Sequence, residues 1–297
     1  MERMKLNDFH PEVLRLFDHY VHGLVDRRGF LDGAAKYTVG GMTAAGLLEL
    51  LRPNYALAQQ VKKDDSRIKT ESLEYQSPQG HGRIRGLFVR PASGAARLPG
   101  VIVVHENRGL NPYVEDVARR LGVAGFMAFA PDALTPLGGY PGTDEKGVEM
   151  QRSLDGAKIQ EDFVAAALML KGRSDSTGRI GVVGFCFGGG MSNTLAVRIP
   201  DLAAAAPYYG AAARTEDVPK IKAALQIHYA ETDERINAAW PAYEAALKAN
   251  KVRYEMHMYP GTSHGFHNDT TPRYNEAAAK LAWQRTTDFF TKHLRQS

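Results

Sequence analysis

The sequence predicts an α/β fold, a mostly parallel, doubly wound sheet with helices on both faces. Three observations predict it. From Arg83 onward, short runs of β-branched and apolar residues alternate with longer helical runs. The strand-like runs are continuously apolar, as parallel strands buried on both faces must be. The residues best suited to chemistry follow directly after these runs, where open α/β sheets gather their active groups.

Taken in order, residues 84–89 and 100–105 read as strands, 114–123 as a helix and 126–130 as the next strand. Residues 131–142, rich in Pro and Gly, form the longest irregular stretch and follow a strand end, which makes them a candidate wall or lid. Helical 159–170 precedes strand 180–183, and a helix beginning near Phe187 precedes the small-residue strand 202–208. Residues 225–229 and 254–258 are the last expected strands.

Composition narrows the classes of function. The chain has 297 residues, 44% hydrophobic and 24% charged, with a net charge of +4 and scattered basic residues. No basic stripe or tail suggests a nucleic-acid partner, and no uncharged apolar run of about 18 residues suggests an integral membrane span. The single cysteine, Cys186, excludes an intramolecular disulfide and a multi-cysteine structural zinc site, and nothing calls for a metal or organic cofactor.

Residues 1–58 differ from residues 59–297, which hold the α/β domain. Asp26-Arg27-Arg28-Gly29-Phe30-Leu31 has the form of a twin-arginine export core; a Gly/Ala-rich stretch, 33–51, and Tyr55-Ala56-Leu57-Ala58, of A-x-A form, follow. A leader would send the protein to the periplasm. The other reading is a cytoplasmic protein with a helical arm packed on its domain, ended by Pro53 and Asn54. The long acidic start and the charges of Lys36 and Glu49 suit the arm.

The strongest local signal is Gly184-Phe185-Cys186-Phe187-Gly188, a G-x-S-x-G nucleophile elbow with sulfur in place of oxygen, between an expected strand and helix. A sharp turn of this kind leaves room only for small residues two before and two after the nucleophile. A helix starting at Phe187 points its positive end at the sulfur, which favours thiolate, and its free N–H groups, that of Phe187 first, can bind an oxyanion. In the order such a fold requires, an acid and a histidine follow later strands: Asp233 in Glu231-Thr232-Asp233-Glu234, and His264 in Gly261-Thr262-Ser263-His264-Gly265. Asp233 would orient the imidazole, with Glu231 and Glu234 as rivals; His264 competes with His228 and His257, inside strands, and with His267. The whole constellation implies an α/β-hydrolase fold.

These motifs, together with Val104-His105-Glu106-Asn107-Arg108-Gly109 and Ser263-His264-Gly265-Phe266, resemble the dienelactone hydrolase family from about residue 70 to the end. The extension, with Ala34-Ala35-Lys36-Tyr37 and Pro53-Asn54-Tyr55-Ala56, resembles a bacterial subgroup with a leader-like arm. The resemblance implies that Glu106 sits beside the resting thiol and accepts its proton when substrate arrives. It also implies that the Asn107 N–H is the second oxyanion donor beside Phe187. Enzymes of the family that act on dienelactone place an arginine four residues after the histidine to hold the substrate carboxylate, where this chain has Asn268. Arg108, Arg152 and Arg273 are the candidate replacements, and Tyr140, Phe187, Tyr208, Tyr209 and Phe266 suggest a partly apolar pocket.

The expected function is hydrolysis of a small carboxylic ester or lactone through a Cys186–His264–Asp233 triad and an acyl-enzyme. Two alternatives stand beside it: thioester cleavage on the same triad, and a non-catalytic module in which Cys186 senses oxidants or binds a ligand.

Overall fold

The computed structural model describes residues 4–38, 42–57 and 59–295. Ala58, which closes the A-x-A segment, and residues 39–41 of the Gly/Ala-rich stretch lie outside the described residues.

The chain opens on three short helices, α1 (Pro11–Val21), α2 (Arg27–Ala34) and α3 (Ala44–Leu51). Each has a side chain at its N-cap that accepts a backbone N–H: His10 from Glu12, Asp26 from Gly29 and Thr43 from Gly46. Arg27 and Arg28 fall in the first turn of α2, exposed to solvent. Phe17, Phe30, Leu48 and Leu51 close a small apolar core among these helices, which are too short to stand unsupported in water.

Eight strands follow: β1 (Ile68–Ser77), β2 (Gly82–Pro91), β3 (Leu98–Val104), β4 (Met127–Pro131), β5 (Ser176–Phe185), β6 (Ala204–Tyr208), β7 (Ala224–Ala230) and β8 (Tyr254–Tyr259). Their order across the sheet is β1-β2-β4-β3-β5-β6-β7-β8. β2 is antiparallel to both neighbours, and the remaining pairs are parallel. The helices between strands are α4 (Pro112–Val123), α5 (Asp144–Ser153), α6 (Gly156–Gly172), α7 (Phe187–Arg198), the short α8 (Glu234–Asn237) and α9 (Trp240–Ala249), and α10 (Glu276–Leu294) closes the fold.

Alternation of side chains along β3 divides the core in two. Ile102 and Val104 face Phe163 and Leu170 of α6 and Leu195 of α7, while Val101 and Val103 face Val117 and Leu121 of α4 and Phe290 of α10. Both faces are therefore buried, as the continuous apolar runs predict. None of the described helices is long and apolar enough to cross a membrane.

Two parts of the fold differ from the sequence expectation. Strand β1, not anticipated, carries mostly exposed charged and polar residues, because it is the outer edge and pairs only with β2. Residues 131–142 form no wall of the Cys186 cavity described below. Asp132 holds them as a tight turn, accepting from the backbone N–H of Leu134 and Tyr140 and from that of Leu110. The segment that covers the site is the N-terminal arm.

Candidate active site

Strand β5 runs directly into α7, and Cys186 occupies the turn with φ 57° and ψ −113°. A side chain rarely adopts positive φ, so the surroundings must hold it there. The Cys186 N–H donates to the Tyr208 carbonyl at 3.1 Å, and its carbonyl accepts the first helical bond from Gly190. A Cβ on Gly184 would collide with the Gly188 carbonyl, and one on Gly188 with the Val104 carbonyl, so both flanking glycines are sterically required.

Asp233 follows β7 and His264 follows β8, neighbouring parallel strands whose carboxyl ends lie side by side. His264 Nδ1 lies 2.6 Å from Asp233 Oδ2, with both residues buried. The carboxylate fixes the proton on Nδ1 and turns Nε2 toward sulfur. Nε2 lies within 4.8 Å of Sγ and is buried without a hydrogen-bond partner.

A second imidazole meets the same sulfur. His22, at the C-terminal end of α1, brings Nε2 to 3.3 Å from Cys186 Sγ. Its Nδ1 lies 2.7 Å from the Asp18 carbonyl and 3.2 Å from Asp18 Oδ1. Its ring stands edge-on to that of His264, with centroids 4.7 Å apart. The arm is fastened at this point: Asn107 Nδ2 donates to the Val21 carbonyl at 2.7 Å, and farther along Tyr55 Oη donates to Asp144 at 2.6 Å. Sequence reasoning missed His22. The available signal was Asp18 four residues before it, a spacing that puts both on one helical face.

The electrostatics follow from this crowding. Burial raises the pKa of the Cys186 thiol, but the charges of His264 and His22 outweigh burial and hold it well below the ordinary thiol range. Burial lowers that of His264, yet the Cys186 and Asp233 charges push it up to about 10. His22 is raised on balance against burial, by Cys186 and Asp18. Each shift favours passing the proton from sulfur to an imidazole.

Glu106 is fully buried beside this cluster, and burial raises its pKa although Arg108 and Arg273 pull the other way. Asn268 Nδ2 donates to Glu106 Oε2 at 3.2 Å, while Asn268 Oδ1 accepts from the Thr270 N–H and hydroxyl. The amide is thereby oriented toward Glu106. Arg108 bridges Glu106, 3.7 Å away, and Asp144 at 2.7 Å.

A cavity of about 290 Å³ opens at Cys186, lined by His22, Asn107, Phe187, Met191, Tyr209, Ala211, Arg235, Ile236 and His264 among others. Of the aromatic residues expected to line a pocket, Phe187 and Tyr209 line this one, and Asn107, expected as an oxyanion donor, lies in its wall. Phe266 is buried among Tyr208, Tyr209 and Tyr259, and Tyr140 bonds Asp144. Arg108 and Arg152 line a different cavity, of about 250 Å³, between the arm and α5. There the Arg152 guanidinium packs so closely on Gly23, whose φ is +69°, that any Cβ would overlap it. Arg273 lies over the Phe17 ring, 4.0 Å from Asp18. The guanidinium that does face the Cys186 cavity is that of Arg235, with Nη2 3.1 Å from His22 Nε2. Of the rival histidines, His228 bonds Tyr259 and His267 bonds Tyr113; Glu231 accepts from the Gly261 N–H.

Among the described residues, Cys186, His22 and His264 are the three donors that converge closely enough to share a metal ion. One thiolate and two imidazoles suit zinc, and both rings have carboxylates on their far nitrogens. The positive charge of Arg235 against His22 Nε2 works against that use.

A strained cysteine between strand and helix, in an eight-stranded sheet with an antiparallel edge, is the architecture of an α/β-hydrolase. Comparison with known proteins gives the family. The dienelactone hydrolase family model matches residues 84–294, and a YqhI-like model matches residues 1–36. A protein of Saccharolobus solfataricus, provisionally named a carboxymethylenebutenolidase, is 31% identical over 228 residues, 65% of this chain and 88% of that one. A provisionally named hydrolase fragment of Escherichia coli K12, YghX, is 57% identical over 114 residues, 38% of this chain and 97% of the fragment. Among solved structures, the dienelactone hydrolase-like phosphotriesterase P91 from metagenomic libraries superposes with a TM-score of 0.66 at 21% identity, covering 76% of this chain and 99% of its own. The chain belongs to the dienelactone hydrolase family.

Proposed function

We propose that the protein hydrolyses small carboxylic esters or lactones through an acyl-enzyme on Cys186, with His264 as base and Asp233 as the acid that orients it. The observation that carries this reading is the 2.6 Å His264–Asp233 contact, which leaves His264 Nε2 unpartnered and facing a sulfur held in a strained elbow. Thiolate adds to the carbonyl carbon, the displaced electron pair rests on oxygen, and the carbon–oxygen bond to the leaving group then breaks as that oxygen takes up the proton drawn from sulfur. Water adds to the thioester so formed, and the carbon–sulfur bond breaks to release acid and restore the thiol. The N–H groups of Phe187, at the positive end of α7, and of Asn107, in the cavity wall, are assigned to the oxyanion.

Size and charge of the substrate follow from the cavity. About 290 Å³ lined largely by apolar groups admits a short acyl chain. Asn268 is committed to Glu106 and Thr270, and Arg108 to Asp144, so neither stands ready for a substrate carboxylate. Short neutral esters such as acetates are expected to be cleaved with higher kcat/KM than lactones bearing a carboxylate. A screen of aryl esters, lactones and thioesters checks this. A several-hundred-fold preference for the carboxylated lactone would contradict it and turn attention to Arg235.

Glu106 is assigned the gate. Its charge beside the sulfur opposes thiolate, and its buried carboxyl has a raised affinity for a proton. Glu106→Gln removes that opposing charge, so iodoacetamide should label Cys186 faster at acid pH while ester turnover falls. Labelling and turnover both unchanged would remove the gate.

The arm is proposed to stay with the active protein, supported by its own core and by its bonds to Asn107 and Asp144. Intact mass of protein from the native cell tests this, since cleavage after Ala58 would remove His22.

A further inference from the structure

Two aspartate–histidine pairs converge on one thiol. In each, a carboxylate or carbonyl occupies Nδ1, and a carbonyl oxygen can only accept, so the neutral His22 ring carries its proton on Nδ1. The lone pair of His22 Nε2 therefore faces Sγ, at hydrogen-bond distance. His264 Nε2 has no such bond in the resting site. α1, which carries His22, does not seal against the domain: a groove of about 870 Å³ runs beneath it, bordered by Asp18, Asp233, Arg235, His264 and Arg273. The groove brings solvent to the edge of the Asp233–His264 pair.

We propose that His22 is a second catalytic base supplied by the N-terminal arm, serving acylation while His264 serves deacylation. The proposal rests on the acyl-enzyme reading above and divides its proton traffic. In acylation His22 Nε2 holds the proton taken from sulfur, the new carbon–sulfur bond forms, and that proton moves to the alkoxide as the ester carbon–oxygen bond breaks. In deacylation His264 Nε2 takes a proton from water as hydroxide adds to the thioester, and returns it to sulfur as the carbon–sulfur bond breaks. Ester and water are consumed, acid and alcohol released, and both imidazoles end neutral. The charged groups facing His22 are Asp18 on its own helix, Cys186 on the elbow, His264 on the loop after β8, and Arg235 on α8. Arg235 donates to the same lone pair at 3.1 Å. Its half-exposed side chain must move off Nε2 when the thiol proton arrives.

The test is rapid-mixing kinetics with p-nitrophenyl acetate on the full chain, its intact mass confirmed, which separates the burst (acylation) from the steady state (deacylation). His22→Gln should slow the burst about 100-fold, within the range of general-base catalysis, and leave hydrolysis of preformed acyl-enzyme unchanged. His264→Gln should instead accumulate acyl-enzyme. Asp18→Asn, which keeps the shape of the hold on His22, should slow the burst in the same direction by a smaller factor. In His22→Gln the pH profile of Cys186 alkylation should shift to higher pH, a change that loss of packing alone would not produce. A burst rate and alkylation profile unchanged in His22→Gln would overturn the proposal, as would a faster burst, which would make the arm a plug. Absence of any acyl adduct on Cys186 in the unaltered protein would defeat the acyl-enzyme reading itself.

Discussion

Cys186→Ala is expected to lower kcat at least about 10⁴-fold, the scale seen when a nucleophile is removed from a triad, while the melting temperature stays close to that of the parent. The fold should tolerate the change because the strain at φ 57° arises from having a Cβ, which alanine keeps. Cys186→Ser is the stricter comparison. It preserves shape but offers a hydroxyl whose proton is held far more tightly than that of a thiol already brought well below its usual range. The serine variant should therefore keep only a trace of activity. Esterase assays with thermal denaturation of the same samples check both outcomes, and full activity in Cys186→Ala would end the mechanism.

Asp233→Asn should also reduce kcat severely, yet by roughly a hundredfold less than loss of the nucleophile. The 2.6 Å contact survives in shape but no longer favours a proton on His264 Nδ1, and the charge that helps hold His264 near 10 is gone. Both groups' shifts set the pH window. A lowered thiol and a raised imidazole stabilise the thiolate–imidazolium pair from the thiol's depressed value up to about pH 10, above which His264 loses its proton. Removing Asp233 lowers the upper limit, so the His264 ring, followed by NMR titration of its imidazole protons, should lose its proton at lower pH. An unchanged titration would separate Asp233 from His264.

How much of this was legible in the sequence depends on how far apart the contributing residues lie. The buried strands β3 to β7 declared themselves through continuous apolar runs, and the elbow through glycines whose spacing answers a steric demand within five residues. Asp233 and His264 could be read because each follows a strand. β1 could not, since an exposed edge strand such as Ile68–Ser77 has no apolar signature and is defined by its pairing with β2. His22 was hidden for a different reason: it meets Cys186 across 164 residues, through the docking of an arm whose own pattern, Arg27-Arg28 followed by small residues, fits an export leader equally well. The arginines were the least legible of all. Arg108, Arg152 and Arg273 read as candidate clamps for a substrate carboxylate, but tertiary packing pairs Arg108 with Asp144, lays Arg152 against Gly23 and sets Arg273 over the Phe17 ring.

Mass spectrometry of the full chain after a millisecond pulse of p-nitrophenyl acetate tests the central claim most directly. An added acetyl group is expected on the peptide containing Cys186, appearing with the burst and decaying at the steady-state rate. Turnover with no adduct on that peptide, or an adduct that forms and never decays, would contradict it.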